Sequence, residues 1–171
     1  MPGDKAKRTY WDSSVFLAWI NGEKDRADIA GGLLESAQRG DIAVVTSVLT
    51  ITEVAFATAE RVSGTPSDEI LGRIDALWDP PSPVRLAEFH RLVAMQARDL
   101  MRGALSNGLR LKPPDAIHMS TAARTQCREI LTYDPKWASY AGILGIKIVQ
   151  PTNAVVPLPF DVAAAAPSAD P

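Results

Sequence analysis

The chain has 171 residues, the length of one ordinary domain by the general rule of about 100 to 200 residues each. Hydrophobic residues make up 46% of it, which excludes a wholly disordered protein. The formal net charge of -2 excludes a globally basic protein that attracts nucleic acid through its overall field. A polyanionic partner would therefore have to be held by a local basic patch or by bound cations.

Cysteine content and hydropathy indicate the compartment. The single cysteine, Cys127, excludes an internal disulfide framework and fits a reducing environment, and we expect it to be a partly buried small residue. The basic start of the chain leads into no long apolar run, and the run 15–20 is far shorter than the roughly 20 residues of a membrane span. These features predict a cytoplasmic protein.

Short β-like runs alternate with helical stretches along the first half of the chain. Residues 42–46 form a continuous apolar run, which is typical of a strand buried on both faces. Gly40 and Gly64 mark the ends of two helical patterns. In chain order we predict a strand over 9–11, helices over 15–20 and 25–38, a strand over 42–46, and helices over 51–62 and 66–78.

The second half continues the alternation. We predict strands over 84–86, 129–132 and 146–149, a helix over 89–104, and a helix that Pro113 opens, since proline suits a first helical turn. Strands separated by helices imply crossover connections and a parallel sheet between helical layers. We therefore expect an α/β fold, a three-layer α/β/α sandwich forming a single domain over 9–150. Residues 1–8 are expected to be a flexible N-terminus, and 151–171 a proline- and alanine-rich tail that is partly disordered.

Four acidic residues are expected at one edge of this sheet. In open α/β sheets the reactive crevice lies beyond the carboxyl ends of the strands. Asp12 follows the first predicted strand and Asp134 follows the run 130–132. Glu53 and Asp115 lie early in helices that follow the sheet.

Each acid has an ordinary explanation as well. Asp12 and Asp115 stand where acids commonly cap helices, Asp134 could form a turn with the following proline, and Glu53 could be solvated. Their convergence favours a site. At 5 Å and an effective dielectric near 20, each carboxylate pair repels by about 3 kcal/mol, so such a cluster needs cations or protons. Oxygen ligands select Mg²⁺ or Mn²⁺, which can activate a water and stabilise a departing oxygen.

Other chemistries lack their parts. The sequence has no Gly-x-x-x-x-Gly-Lys loop for a nucleotide and no Gly-x-Ser-x-Gly elbow for an acyl enzyme. His90 and His118 have no zinc-like spacing with each other or with Cys127. His118 shares a helix face with Asp115, so it could contact substrate or orient that carboxylate, or simply form a structural hydrogen bond.

Four segments contain the acids: Tyr-Trp-Asp-Ser-Ser-Val-Phe at 10–16, Thr-Glu-Val at 52–54, Pro-Asp-Ala-Ile-His at 114–118 and Leu-Thr-Tyr-Asp at 131–134. Together they resemble, in order and spacing, the acidic motifs of PIN-domain ribonucleases, and the resemblance runs from about residue 9 to 149. It is strongest to the VapC-like toxins of bacterial toxin–antitoxin pairs. The resemblance implies an α/β/α sandwich on a parallel sheet and RNA cleavage by a water activated with Mg²⁺ or Mn²⁺.

The resemblance also assigns roles to individual residues. Ser14 and Thr132 match hydroxyl residues that support the metal ligands or contact phosphate, although Ser14 could instead be a helix-cap hydroxyl. The matching catalytic and metal-binding acids are Asp12, Glu53, Asp115 and Asp134.

Partners follow from the same resemblance, which implies RNA as substrate, a small antitoxin protein and a homodimer. Basic residues near the motifs could hold RNA phosphates, with an ordinary solvated surface as the alternative: Arg110, Lys112, Arg124 and Lys136. Apolar residues could serve the antitoxin if they are exposed, with core packing as the alternative: Phe16, Trp19, Ile20, Leu71 and Trp78. We hypothesise that the antitoxin lays an apolar helix against 16–20 and directs a basic side chain at the acids.

Two other functions are alternatives to the nuclease. A non-catalytic PIN-like module that binds RNA or protein is disfavoured by the complete acidic set. A phosphatase with an aspartate nucleophile also begins with a strand and an acid, but that chemistry calls for a second acid two residues later, where this chain has Ser14.

Overall fold

The computed structural model of the chain describes residues 6–62 and 64–152. Strands and helices alternate along this part, as the sequence predicts. They are β1 Lys7–Trp11, α1 Ser13–Ile20, α2 Arg26–Arg39, β2 Ile42–Ser47, α3 Leu49–Val62, α4 Asp68–Trp78, β3 Val84–Ala87, α5 Arg91–Ser106, α6 Pro113–Arg124, β4 Glu129–Leu131, a 3₁₀ helix Pro135–Tyr140, α7 Ala141–Leu144 and β5 Lys147–Val149.

The strands form one parallel sheet in the order β3-β2-β1-β4-β5. The first strand of the chain is therefore the central one, and Tyr10 pairs with Val45 on one side and Ile130 on the other. Parallel neighbours cannot be joined by tight hairpins, so helices cross over between them and cover both faces. The predicted three-layer α/β/α sandwich is confirmed.

Alternating side chains of the strands build a core on each face of the sheet, because successive residues of a strand point to opposite sides. Tyr10 packs with Ala97 of α5 and Met119 of α6. Its neighbour Trp11 packs with Phe16 of α1 and Leu77 of α4 on the other face. All six residues of β2 are buried, which confirms the prediction of a strand covered on both faces.

The predicted boundaries hold within a few residues where local chemistry sets them. The αL conformation of Gly40, with φ 83°, ends α2, since glycine carries no Cβ to clash there. Pro113 opens α6 as predicted. Cys127 is free and is buried rather than partly buried. No helix of the described residues is long and apolar enough to cross a membrane.

Some local predictions differ from the structure. The first strand begins at Lys7 rather than at residue 9, and Phe89 lies outside α5 because His90 caps that helix by accepting from the Leu92 amide at 3.2 Å. The 3₁₀ helix and α7 were not predicted, because elements of six and four residues are too short to show a periodic pattern. The predictions for residues 1–5 and 153–171 lie outside the described residues.

Candidate active site at the carboxyl edge of the sheet

The four acids stand where the three adjacent strands β2, β1 and β4 end or where a following helix begins. Asp12 comes directly after β1, and Asp134 comes three residues after β4. Glu53 lies in α3, which follows β2, and Asp115 lies in the first turn of α6. The fold therefore directs all four toward the same edge of the sheet.

Asp12 is buried, with 5% of its surface exposed, and each of its carboxylate oxygens accepts a hydrogen bond from a hydroxyl group. Oδ1 accepts from the Ser14 backbone N–H at 3.1 Å and from the Ser14 hydroxyl at 2.5 Å. Oδ2 accepts from the Thr132 hydroxyl at 2.6 Å. Asp12 does cap α1, but the bond from Thr132 comes from 120 residues away and is not part of a helix cap.

The electrostatic balance at Asp12 opposes its charge. Burial raises the pKa of this carboxyl, while the hydrogen bonds from Ser14 and Thr132 and the charge of His118 lower it, and burial prevails. An ionised Asp12 is thus less stable in the folded protein than in water unless a cation compensates.

The same two hydroxyls connect Asp12 to the segment that carries Asp134. The Thr132 hydroxyl accepts from the Asp134 backbone N–H at 3.0 Å, and the Ser14 hydroxyl accepts from the Tyr133 backbone N–H at 2.9 Å. The Asp134 carboxylate accepts from the Lys136 backbone N–H at 2.9 Å and so caps the 3₁₀ helix. The turn that was one explanation for Asp134 exists, and it sits beside Asp12.

Glu53 is bound by a histidine rather than left solvated. His118 is 2% exposed, and its Nε2 lies 2.8 Å from Glu53 Oε2, whose side chain is 28% exposed. Burial raises the pKa of Glu53, but the hydrogen bond and charge of His118 and a hydrogen bond from Ser13 outweigh it, so the pKa is lowered. Of the alternatives for His118, the structure has the hydrogen-bonding role: the imidazole lies between Glu53 and Tyr10 and forms no hydrogen bond to Asp115 in the described structure.

Asp115 is half-buried, and its carboxylate accepts no hydrogen bond from any residue that the structure describes. Burial raises its pKa, and so do the nearby charges of Asp134 and Glu53, against the opposing charges of His118 and Lys112. Asp134 and Glu53 therefore both lie within electrostatic reach of Asp115.

The donor chemistry fits a hard divalent cation, because the converging side chains are carboxylates. The arrangement is not yet a closed ligand set: within the part of the chain described, no three or more Asp, Glu, His or Cys side chains are grouped so as to hold one ion. Asp12 accepts from hydroxyls, Glu53 contacts His118, and Asp134 caps a helix.

The structure separates the four basic residues proposed to contact RNA. Lys112 precedes α6 and acts electrostatically on Asp115, while Lys136 follows Asp134 by two residues. Arg110 is exposed in the segment that leads into α6. Arg124 ends α6, nine residues after Asp115 or about 14 Å along the helix, so the structure does not bring it to the acids.

The prediction of an apolar docking surface on α1 is wrong. Phe16 and Ile20 are 0% and 4% exposed and belong to the core, where Phe16 packs on the rings of Trp11 and Trp78. Trp19 is partly buried under the guanidinium of Arg73, and of the proposed residues only Leu71, at 37%, is exposed. A helix packed between the sheet and α4 cannot offer its apolar face to another protein.

Two residues at the site were missed by sequence reasoning, Tyr10 and Ser13. Ser13 donates a hydrogen bond to Glu53, and Tyr10 contacts His118. One signal was present for Tyr10: a tyrosine in a strand buried on both faces needs a partner for its hydroxyl.

A parallel sheet between two helical layers, with acids where its central strands end, defines an α/β/α domain with an acidic centre. The model of the PIN domain family matches residues 9–143, and the chain belongs to that family. A comparison with curated proteins gave no match.

Solved structures of the same fold include three from toxin–antitoxin systems. A structure of VapBC2 from Rickettsia felis, bound to a promoter DNA fragment, has a TM-score of 0.66 at 12% identity and covers 84% of this chain and 98% of that chain. A toxin–antitoxin complex from Klebsiella pneumoniae has a TM-score of 0.56 at 22% identity and the same coverage. VapC20 from Mycobacterium tuberculosis, a toxin that cleaves the sarcin–ricin loop, has a TM-score of 0.59 at 16% identity and covers 77% and 93%. At these identities the likeness shows the fold.

Proposed function

We propose that the protein is an Mg²⁺- or Mn²⁺-dependent endoribonuclease and the toxin of a toxin–antitoxin pair. Membership of the PIN domain family supports a nuclease. The observation that carries the proposal is the half-buried Asp115 carboxylate, which has no hydrogen-bond donor in the described structure and lies in the field of Asp134 and Glu53. Such a group is stabilised by a cation.

Two groups of residues have different proposed roles, one in binding the metal ion and the other in binding RNA. Asp12, Glu53, Asp115 and Asp134 would hold the metal, while Ser14 and Thr132 keep Asp12 in place. The bound metal supplies an activated water and charge stabilisation for the departing oxygen. Lys112, Lys136 and Arg110 are exposed near this edge and would contact phosphates, and Arg124 would act, if at all, at a distance from the acids.

A small antitoxin partner and a homodimer are part of the proposal, as is residence in the cytoplasm, where RNA is available. The supporting observation is that solved structures of the same fold are toxin–antitoxin complexes. Because α1 is buried, we place partner contacts on apolar side chains that are exposed in the described structure. Among them Phe56 is 65% exposed and Leu105 is 63% exposed.

Cleavage of RNA by the purified protein tests the nuclease directly. With Mg²⁺ or Mn²⁺ the protein should cut single-stranded or loop-containing RNA, and excess EDTA should stop it. Hydrolysis by water should leave 5′-phosphate and 3′-hydroxyl ends, whereas a 2′,3′-cyclic phosphate would indicate attack by the RNA itself. Asp115→Asn should be inactive. RNA binding without cleavage under all these conditions would instead support the non-catalytic module.

Growth tests the toxin assignment separately. Expression of the active protein alone should arrest growth, and co-expression of a small protein encoded beside it should relieve the arrest. Normal growth at a high level of active enzyme would remove the toxin assignment and leave the nuclease intact.

A further inference from the structure

A buried hydrogen-bonded chain links the end of β2 to Glu53. The Ser47 backbone N–H donates to the Tyr10 hydroxyl at 3.0 Å, and that hydroxyl lies 2.7 Å from His118 Nδ1. The other imidazole nitrogen, Nε2, lies 2.8 Å from Glu53 Oε2. The chain thus passes from β2 through β1 and α6 to α3, joining four elements at the carboxyl edge of the sheet.

The direction of these bonds follows from the groups at the two ends. A backbone N–H can only donate, so the Tyr10 oxygen accepts from Ser47; its own hydrogen can be donated to His118 Nδ1, beside the further hydrogen bond that Tyr10 forms with the Thr46 side chain. An imidazole that accepts at Nδ1 carries its proton on Nε2 when neutral, and an ionised carboxylate only accepts. When His118 donates to Glu53, each donor in the series from Ser47 through Tyr10 and His118 to Glu53 therefore faces an acceptor.

The surroundings hold the imidazole in one orientation. Tyr10 is fully buried and His118 is 2% exposed. The His118 ring lies edge-on to the Tyr10 ring at 5.9 Å and beside the Trp137 ring at 6.0 Å between centroids. Phenylalanine and an apolar side chain would fill the same volume, so packing alone does not call for a tyrosine and a histidine here.

We propose that Tyr10 and His118 are positioning residues that commit Glu53 Oε2 to the imidazole and leave Oε1 to face the metal, with Ser13 as a further hydrogen-bond donor to this carboxylate. This inference rests on the proposed metal-dependent function. Loss of a partner that orients a metal ligand typically costs about 10- to 100-fold in metal affinity.

Two substitutions of His118 separate positioning from packing. The amide nitrogen of His118→Gln can occupy the position of Nε2 and keep the donor to Glu53, while His118→Asn reaches only the position of Nδ1 and loses it. Isothermal titration with Mn²⁺ should give a dissociation constant within about threefold of the parent for the glutamine variant and raised about 10- to 100-fold for the asparagine variant. Melting temperatures of the metal-free proteins, taken alongside, report the packing loss of each.

The tautomer of His118 gives a readout that needs neither metal nor activity. Imidazole ¹⁵N shifts at about pH 8, where a histidine is ordinarily neutral, should show the proton of His118 on Nε2. Tyr10→Phe should shift the Nδ1 resonance, whereas Tyr140→Phe, which removes a hydroxyl bonded to the Arg110 carbonyl at 2.7 Å, should leave it unchanged. The sequence has two histidines, so His118→Gln assigns the signals.

The outcomes are distinguishable. Equal weakening of Mn²⁺ binding in the glutamine and asparagine variants, in proportion to their melting temperatures, would show a packing role and overturn the inference. A proton on Nδ1, or an Nδ1 shift that ignores Tyr10→Phe, would also overturn it. A parent protein that binds no Mn²⁺ but shows the expected tautomer would overturn the proposed metal site and, with it, the role given to Oε1.

Discussion

Asp12 combines two tasks that usually fall to different residues. Its side chain caps α1 through the Ser14 backbone N–H, which is an ordinary local use of an aspartate. It also accepts from two hydroxyls, one of them from Thr132, which follows β4 and lies 120 residues away along the chain. Helix capping explains why an aspartate stands at position 12. The hydrogen bond from Thr132 explains how its carboxylate is accommodated in a buried position.

The raised pKa of Asp12 predicts how the metal-free protein responds to pH. Because burial raises the pKa of Asp12, the protonated carboxyl contributes to the stability of the folded protein. This contribution is fully present below the pKa of the unfolded chain, about 3.9, and is lost as pH rises through the pKa of the folded protein. Asp12→Asn cannot ionise. The melting temperature of the variant, relative to the parent, should therefore increase from about pH 4 toward neutrality in EDTA. A pH-independent difference would contradict a strained carboxylate at this position.

Thr132 should stabilise the site through its hydroxyl. Thr132→Val keeps the shape but leaves Asp12 Oδ2 and the Asp134 backbone N–H each without a partner, so unfolding in urea should show a loss of about 1–3 kcal/mol. Thr58→Val is the matched control. Its buried hydroxyl bonds only to the Val54 carbonyl one helical turn away, at 2.8 Å, and we expect a loss below about 1 kcal/mol. Equal losses would show that the hydroxyl at Asp12 contributes nothing particular.

Sequence reasoning could find the acids of the site but not their supports. Asp12, Asp115 and Asp134 stand at strand ends or helix starts, and such positions are readable from the alternation of elements. Tyr10 and His118 meet across 108 residues, and no local pattern encodes that distance. The partner of Glu53 depends on how α3 and α6, which pack on opposite faces of the sheet, bring two side chains together at its carboxyl edge, and the sequence pattern does not specify this.

At the scale of elements, α1 shows how a short apolar run can be assigned correctly and still mislead about its surroundings. Its helical form follows from the cap at Asp12, but its burial depends on α4, whose Trp78 ring lies 5.3 Å from that of Phe16. The run of apolar residues alone cannot distinguish a core helix from a docking surface.

Substitutions of two phenylalanines test this distinction. Phe16 is fully buried, so Phe16→Ala should destabilise the protein by about 3–5 kcal/mol through lost contacts and a cavity. Phe56→Ala, on an element of the same layer, removes a side chain that is 65% exposed and should change stability by less than about 0.5 kcal/mol. Denaturant unfolding of both variants gives the comparison. A mild effect at Phe16 would mean that α1 is not part of the core.

The elements that could be predicted are those with strong periodicity or a firm end signal, such as β2 and α2 with its glycine cap. The order of the strands in the sheet could not be predicted from the sequence. The central position of β1 follows from which faces pack together rather than from any local pattern. Likewise, the predicted start of α5 is too early. Phe89 continues the apolar periodicity of the helix, but the backbone stays extended as far as His90, which caps it.

For the molecule as a whole, a net charge of -2 means that RNA cannot be attracted by the overall field. The acidic centre adds to the repulsion until a cation compensates it. Under the proposed function, RNA binding would then depend on a few local basic side chains. The geometry of α6 supplies an internal comparison, because Lys112 lies at the end that holds Asp115 and Arg124 lies at the other.

Substitutions at the two ends of α6 distinguish a local phosphate contact from an effect of the overall charge. Lys112→Met and Arg124→Met remove the same charge from the same chain, so they change the net charge equally. If Lys112 contacts a phosphate, its loss should raise KM with little change in kcat, and the slope of log(kcat/KM) against log[KCl] should become shallower by about 0.7, the value for one contact on a single strand. The Arg124 variant should keep the parent's KM and slope, because about 14 Å of helix separates it from the acids. Cleavage of one single-stranded RNA at several KCl concentrations measures both quantities. Equal changes in the two variants would mean that RNA responds to the net charge of the molecule and not to a patch at the carboxyl edge of the sheet.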